Sequence, residues 1–335
     1  MEVAARALRA PRRSSVTFYD LASLAKPLVT APLAHAYLDL DADRRFQLGF
    51  HDRESPLTVR QLLSHSAGLP PWLPYTGEPL AAQLRRTPLP GNHPLLRTAE
   101  IGVSTYSDLG YRLIAELLES ELGLSWKQLG AAASGLSAAP WHQAPTLIPA
   151  GQDEAAWRMA EPNLGFPRAH SHLPHDANAR ADMIGHAGFG ATADQLRECL
   201  ERWMAARWPD PMAVDIAQDA DGESWGLGLQ RATASYSDLL AGIPPGRAGV
   251  HVIESSSTEF SVIPPQATGT PAATSFWQHL AYAGPALFVR LEDRCCIALL
   301  CHRAGPAGEL LSLDQLRARR RRMLHTVPDE KLQQG

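Results

Sequence analysis

Apolar residues recur at helical spacing most clearly in "YSDLGYRLIAELLESELG". Leu109, Leu113, Leu117 and Leu118 share one face there, and Gly123 closes the run. That pattern predicts an amphipathic helix. Residues 20–38 also read as helix, interrupted by Pro27 and Pro32. A proline in a first turn loses no hydrogen bond, so Pro27 puts Ser23 and Lys26 at a helix N-terminus. "LTVRQLLSHSAGLP" predicts a short helix with Thr58 and Gln61 as a capping box, ended by Gly68 and Pro70. Ser125 with Gln128, and Thr192 with Gln195, repeat that cap before two further helices. "SLDQLRARRRRML" predicts a last helix, basic on its outer face. Residues 71–97, 133–180 and 205–222 lack periodicity and read as loop.

The pattern shortens late in the chain. "WGLGLQRA", "GVHVIESS", "TEFSVIP", "ALFVRLED" and "RCCIALLCHR" are brief apolar runs between turns, which predicts strands. "LEDR" between the last two reads as a hairpin turn. Helices first and strands last predict an α+β fold with an antiparallel sheet, not alternating βαβ units.

Composition narrows the function classes. Of 335 residues, 45% are hydrophobic and 20% charged, ordinary values for a soluble globular protein. A net charge of −4 offers no basic surface for nucleic acid. No run approaches the ~18 apolar residues of a membrane span. "MEVAARALRAPRRSS" lacks the apolar core of a secretory signal, so as written the chain is expected in the cytoplasm, an expectation that rests on the assigned start. Cys199, Cys295, Cys296 and Cys301 have no metal or redox spacing and read as packed, reduced thiols, with Cys295 and Cys296 on opposite faces of a strand. Lysine occurs only at Lys26, Lys127 and Lys331. Arginine holds its proton in a protein and lysine can release it, so these three are the candidates for proton chemistry.

Four constellations could carry chemistry. Ser23 and Lys26 are one helical turn apart, so the amine can reach the hydroxyl. Burial would lower the lysine's pKa and let it take the serine's proton, or the pair is surface decoration. Tyr106-Ser107-Asp108 opens the amphipathic helix and offers either a phenol for acid–base work or a cap. His279 precedes Ala281, Ala283 and Gly284 and then a strand, where small residues admit a ligand and a backbone N–H could complete an oxyanion hole, or it is a surface histidine before an ordinary strand. "HSHLPHD", with His170, His172, His175 and Asp176, matches no standard zinc spacing and reads as a solvated loop, so no metal is expected.

Ser-x-x-Lys, Tyr-x-Asp and His-x-Ala, in that order, match the three motifs of the serine β-lactamase and penicillin-binding-protein group. The chain resembles the class C β-lactamase-like serine hydrolases, which include esterases and DD-peptidases. "DLASLAKPLVT", "LTVRQLLSHSAGLP", "YSDLGYRLIAELLE", "HDANARADMIGHAGFGATADQL" and "ALFVRLEDRCCIALLCHR" carry the resemblance, from about residue 15 to about residue 325. It implies one β-lactamase/DD-peptidase-like domain over 1–335: an antiparallel sheet flanked by helices with an inserted, mainly helical part. The helical part spans approximately 40–220, and the sheet part approximately 221–335 plus the N-terminal segment. By resemblance Ser23 is the acylated nucleophile, Lys26 handles its proton, and Tyr106 is the second base and later acid. His279 would bind a substrate carboxylate or tune Tyr106, and the N–H groups of Ser23 and Tyr282 would form the oxyanion hole.

Three departures accompany the match. Asp108 stands where Asn is usual, and a carboxylate cannot donate to a substrate amide unless protonated. Ala281 stands where Gly is usual. Only 22 residues precede Ser23, against roughly 40 or more in the family, enough for two sheet strands. Those 22 look helical or disordered, so the N-terminal strands are missing and the sheet has an open edge that invites a second copy. A misplaced start, a partner supplying the edge and a degenerate protein all remain as explanations. The expectation is a cofactor-free carboxylesterase acting on a small ester or amide. A DD-peptidase or weak β-lactamase is one alternative, and a truncated, non-catalytic ligand-binding homologue is another.

Overall fold

Two prolines and one aspartate shape the segment on which the rest of the chain is hung. The computed structural model describes residues 18–50, 54–73, 80, 82–83, 102–126, 129, 148–149, 185–243, 248–255, 276–303 and 311–325. Strand β1 (Phe18–Asp20) leads into a 3₁₀ turn (Ala22–Leu24), a π-helical segment (Lys26–Thr30) and helix α1 (Ala31–Tyr37). The one helix expected over 20–38 is therefore three pieces. Pro32 has no N–H to return to the Leu28 carbonyl, so the ladder widens by a residue and the Ala31 N–H closes on the Lys26 carbonyl.

Helix α2 (Val59–Leu63) opens with the predicted capping box of Thr58 and Gln61. Helix α3 (Asp108–Leu122) is the amphipathic helix. The Ser107 hydroxyl accepts from the Leu109 N–H at its start, and Gly123 ends it in a left-handed conformation. Its leucine stripe is fully buried. Gly110 lets the two helices touch, since a Cβ there would lie 2.9 Å from the Leu62 carbonyl oxygen. β2 (Ile148–Pro149) and β3 (Phe189–Thr192) join β1 in a small sheet of order β1-β3-β2. The N-terminal segment expected to be helical or disordered thus contributes a strand at 18–20. Helix α4 (Ala193–Ala205) has its predicted capping box at Thr192 and Gln195. Helix α5 (Pro209–Met212) and β4 (Ala217–Gln218) lie in the stretch read as loop, and both are too short to show a period.

The main sheet continues with β5 (Ser224–Trp225), β6 (Gln230–Arg231), helix α6 (Ala234–Ala241), β7 (Gly249–Glu254), β8 (Phe276–Leu280), β9 (Ala286–Arg290), β10 (Cys295–Leu300) and helix α7 (Leu313–His325). Its order is β4-β5-β6-β8-β9-β10-β7. Every pairing is antiparallel except β7 with β10, so β7 covers the outer side of β10 as a parallel edge strand. β10 is buried throughout, which is why it reads as an unbroken apolar run. Cys295, Ile297 and Leu299 face Tyr236, Leu316 and Met323, while Cys296, Ala298 and Leu300 join the larger core with Leu24, Leu28 and Trp203. All four cysteines are buried and outside any disulfide, and the adjacent pair does point to opposite faces. Gln128, the strand expected from "TEFSVIP" and the "HSHLPHD" stretch lie outside the described residues.

The hairpin joining β8 to β9 depends on Gly284. Its φ is +136°, and an added Cβ would sit 2.0 Å from the Cys301 carbonyl oxygen. Gly284→Ala is expected to cost about 3 kcal/mol, read as a lower midpoint in urea unfolding. An unchanged midpoint would contradict this packing.

Candidate active site

Ser23 sits at the edge of a cavity because Asp20 bends the chain just before it. The Asp20 carboxylate accepts from the Ala22 N–H at 2.8 Å, and Ala22 takes φ +47°. A left-handed alanine costs about 1–2 kcal/mol. Such strain is held by the surrounding structure and gathers at working sites. The 3₁₀ turn then leaves the Ser23 side chain facing Lys26 one turn on.

Three side chains close a triangle. Lys26 Nζ donates to Ser23 Oγ at 3.0 Å and to Tyr106 OH at 2.8 Å, and Tyr106 OH donates to Ser23 Oγ at 3.0 Å. The third Lys26 proton goes to the His186 carbonyl at 3.2 Å. Thr30 Oγ1 holds the neighbouring Gly185 carbonyl, which steadies that loop. Asp108 Oδ1 lies 2.7 Å from Nζ and meets the ammonium as an ion pair. Lys26 is completely buried and Asp108 keeps 18% of its side chain exposed.

Burial alone would lower the Lys26 pKa, as expected from the sequence. The Asp108 charge, then Tyr106, outweighs it, and the net shift is upward. That expectation is corrected: the resting lysine is an ammonium ion. Tyr106 is also pushed up, by burial first, against the pull of Lys26 and with a further push from Asp108. At neutral pH Lys26 and Tyr106 therefore both keep their protons.

His279 is not ahead of the strand but within it, near the end of β8. Its Nδ1 lies 2.9 Å from the Gly228 carbonyl. A carbonyl only accepts, so Nδ1 carries the proton and Nε2 keeps the lone pair. Burial, then the Lys26 charge, brings its pKa down to about 3. A neutral ring in that tautomer offers a carboxylate neither charge nor a donor on its Nε2 side. Of the two expected roles for His279, carboxylate binding therefore lacks support. The Tyr106 and His279 ring centroids are 6.3 Å apart.

The turn after His279 carries Ala281, which is buried, and Tyr282, which is 53% exposed. Ala281 N–H bonds to the Pro285 carbonyl at 2.9 Å, and Gly284 N–H returns to the Ala281 carbonyl at 3.2 Å. Arg320 of α7 fastens this turn from below, donating to the carbonyls of Gly284 (2.8 Å), Pro285 (3.1 Å) and Ala281. The last helix is thus not basic on an outer face alone, since Arg320 is buried. The signal was its register: Leu316, Arg320 and Leu324 are spaced four apart on one helix face.

His65 is the other residue that motif reading passed over. It follows α2 at φ +58°, accepts from the Ser107 N–H at 3.1 Å, and its ring centroid lies 4.7 Å from that of Tyr106 at a tilt of 34°. It is held well below the ordinary histidine value by burial, then by the charge of Lys26. Its place inside "LLSHSAGLP" was visible, but its contact with Tyr106 depends on tertiary structure. Ser23, Tyr106, Asp108, His279, Ala281 and Tyr282 all line one cavity of about 840 Å³, and Lys26 lies fully buried behind Ser23 without lining it. The remaining walls are largely apolar, from Pro71, Trp72, Trp225, Tyr236, Leu280 and Leu316. Among the described residues no cluster of His, Cys, Asp and Glu could hold a metal ion, and no helix is long and apolar enough to cross a membrane.

Comparison with known proteins adds fold and family. A family model described as Beta-lactamase matches residues 14–321. No curated protein matches. Among solved structures, simvastatin synthase (LovD) from Aspergillus terreus is 16% identical at TM-score 0.58, over 96% of this chain and 86% of that one. A beta-lactamase/D-alanine carboxypeptidase from Pseudomonas syringae is 15% identical at TM-score 0.58, over 94% and 86%. SurE with D-Leu is 22% identical at TM-score 0.48, over 83% of this chain, and the chain spans only 57% of its length.

Proposed function

The chain belongs to the beta-lactamase family, and from that premise we propose that it is a carboxylesterase working through an acyl-serine intermediate on a neutral, largely apolar ester. The observation that carries the reading is the closed triangle of Ser23, Lys26 and Tyr106, with every side 3.0 Å or less. Ser23 Oγ attacks the ester carbonyl while its proton passes into the Lys26–Tyr106 pair, one of which must first have released its own. The N–H groups of Ser23 and Tyr282 receive the oxyanion; neither has a backbone partner among the described turn and loop bonds. Tyr106 then protonates the departing alkoxide, and water repeats the sequence on the acyl-serine.

Ester over peptide or lactam follows from what surrounds the triangle. Penicillins and D-Ala-D-Ala peptides carry a carboxylate. Here the third motif presents a neutral imidazole, and Asp108 adds an anion to the cavity wall. Arg317 and Arg320 also line the cavity, Arg317 paired with Asp314 and Arg320 bonded to the carbonyls of Gly284, Pro285 and Ala281. Among the described residues, Phe46, Trp72, Val214, Tyr282 and Leu313 are the large apolar side chains left exposed. Three of them, Trp72, Tyr282 and Leu313, line this cavity, which suits an apolar substrate. A non-catalytic homologue would have Ser23 and Lys26 beyond about 4 Å or a filled pocket. The distance of 3.0 Å and the open cavity favour the enzyme.

Turnover of p-nitrophenyl butyrate is therefore expected to exceed that of a penicillin or a D-Ala-D-Ala peptide by about 100-fold in kcat/KM. Faster hydrolysis of either carboxylated substrate would overturn the assignment.

A further inference from the structure

Arg320 is a buried charge that, among the described residues, bonds only to main-chain carbonyls. It is 5% exposed. Its Nε donates to Gly284 at 2.8 Å, and its Nη2 donates to Pro285 at 3.1 Å and to Ala281. None of those carbonyls depends on it for a partner. Pro285 already accepts from the Ala281 N–H at 2.9 Å, Ala281 from the Gly284 N–H at 3.2 Å, and Gly284 from the Cys301 thiol at 3.1 Å. Burying a guanidinium away from any carboxylate is unfavourable. A turn that already closes on itself gives no stability reason to place one here.

The peptide between Ala281 and Tyr282 gives a reason. Its carbonyl belongs to Ala281 and its N–H to Tyr282. The bond is trans, so the two groups point in opposite directions. A guanidinium that holds the carbonyl therefore turns the Tyr282 N–H away from α7. That N–H has no backbone partner among the described turn and loop bonds, and Tyr282 lines the cavity with Ser23. A charged donor on the carbonyl also polarises the amide and strengthens its N–H as a donor.

We propose that Arg320 is a positioning residue for the oxyanion hole: by holding the Ala281 carbonyl it fixes the plane of the Ala281–Tyr282 peptide and aims the Tyr282 N–H at the developing oxyanion. This rests on the acyl-serine reading and adds to it a residue that acts through the peptide, not on the substrate. Without Arg320 the carbonyl keeps only the Gly284 N–H, at 3.2 Å. A donor held that loosely must reorient as the charge develops, and a hole gains its effect from donors that need not.

The test pairs p-nitrophenyl butyrate with its thiono analogue, in which the ester C=O is C=S. Sulfur is a weak hydrogen-bond acceptor, so the thiono ester draws little from the hole. Arg320→Met should lower kcat on the oxo ester by about 100-fold and leave KM within about twofold. The oxo-to-thiono ratio of kcat should shrink by about tenfold. Arg320→Lys keeps a charged donor and should give an intermediate ratio. A merely structural role would slow both esters equally, and that result overturns the proposal. So does a wild-type kcat in Arg320→Met. Where the methionine variant does not fold, Arg320→Gln, with one neutral donor, is read in the same way: a smaller ratio supports the proposal and the wild-type ratio overturns it. Fluorophosphonate labelling of the wild type separates the two levels. An adduct on Ser23 beside an unchanged ratio in the variants sinks the role of Arg320 alone, while no adduct on folded protein sinks the acyl-serine reading and this role with it.

Discussion

Ser23→Ala should abolish covalent labelling by a fluorophosphonate probe, and Lys26→Met should slow it by about 1,000-fold. Intact mass shows one adduct on the wild type and none on Ser23→Ala. The lysine variant matters more for the argument, because a serine in a loop can be labelled slowly without help. Lys26 touches both other members of the triangle, at 3.0 and 2.8 Å. Methionine keeps most of its volume but removes the proton relay and the positive charge beside the developing alkoxide. It also leaves Asp108 without its cation. That carboxylate keeps 18% exposure at the cavity wall, so water can still reach it. The stability cost should therefore stay near 1–3 kcal/mol, below the range for a fully buried pair. A folded Lys26→Met protein that labels at the wild-type rate would mean that Ser23 is not activated by this contact.

Much of this site was legible in the sequence, and the limits are physical. Ser23, Lys26 and Tyr106 could be named because each sits in a short motif and the order of the motifs is itself specific. Helices α2, α3 and α4 could be placed because their caps are local chemistry: a side chain bonding a backbone N–H two or three residues away. Charge states were not legible. From the sequence, burial alone sets the direction of the lysine's shift, and Asp108, 82 residues on, reverses it. His279 was visible as a histidine, but its proton is placed by a carbonyl 51 residues earlier. The His186 contact to Lys26 runs through the backbone, so no side-chain pattern could announce it. β7 read correctly as a strand, yet its parallel seat beside β10 is a matter of topology that local pattern does not contain.

Asp108→Asn should move the activity profile to lower pH and speed labelling at pH 7 by about tenfold. At rest both candidate bases are protonated, since Lys26 and Tyr106 are each held above their ordinary values. The wild-type rate should therefore climb as pH rises past neutrality. Asp108 is the largest upward influence on Lys26 and also pushes Tyr106 up. Without that anion, burial is the largest influence left on the lysine, and burial favours the neutral amine. The same change makes the phenol easier to ionise. Stability shifts the other way. A lysine or tyrosine whose folded pKa is raised contributes stability that is complete below its unfolded value, 10.5 or 10.0 here, and is lost as pH climbs through the folded value. Wild type should thus shed this contribution only in strongly alkaline solution. Asp108→Asn should be less stable at neutral pH and fall less steeply above about pH 10. The measurement is the fluorophosphonate labelling rate across pH 6 to 10, beside thermal melts at the same points. A profile that stays in place or moves upward would show that Asp108 does not set the protonation of the Lys26–Tyr106 pair, and that the carboxylate in the second motif serves substrate binding instead.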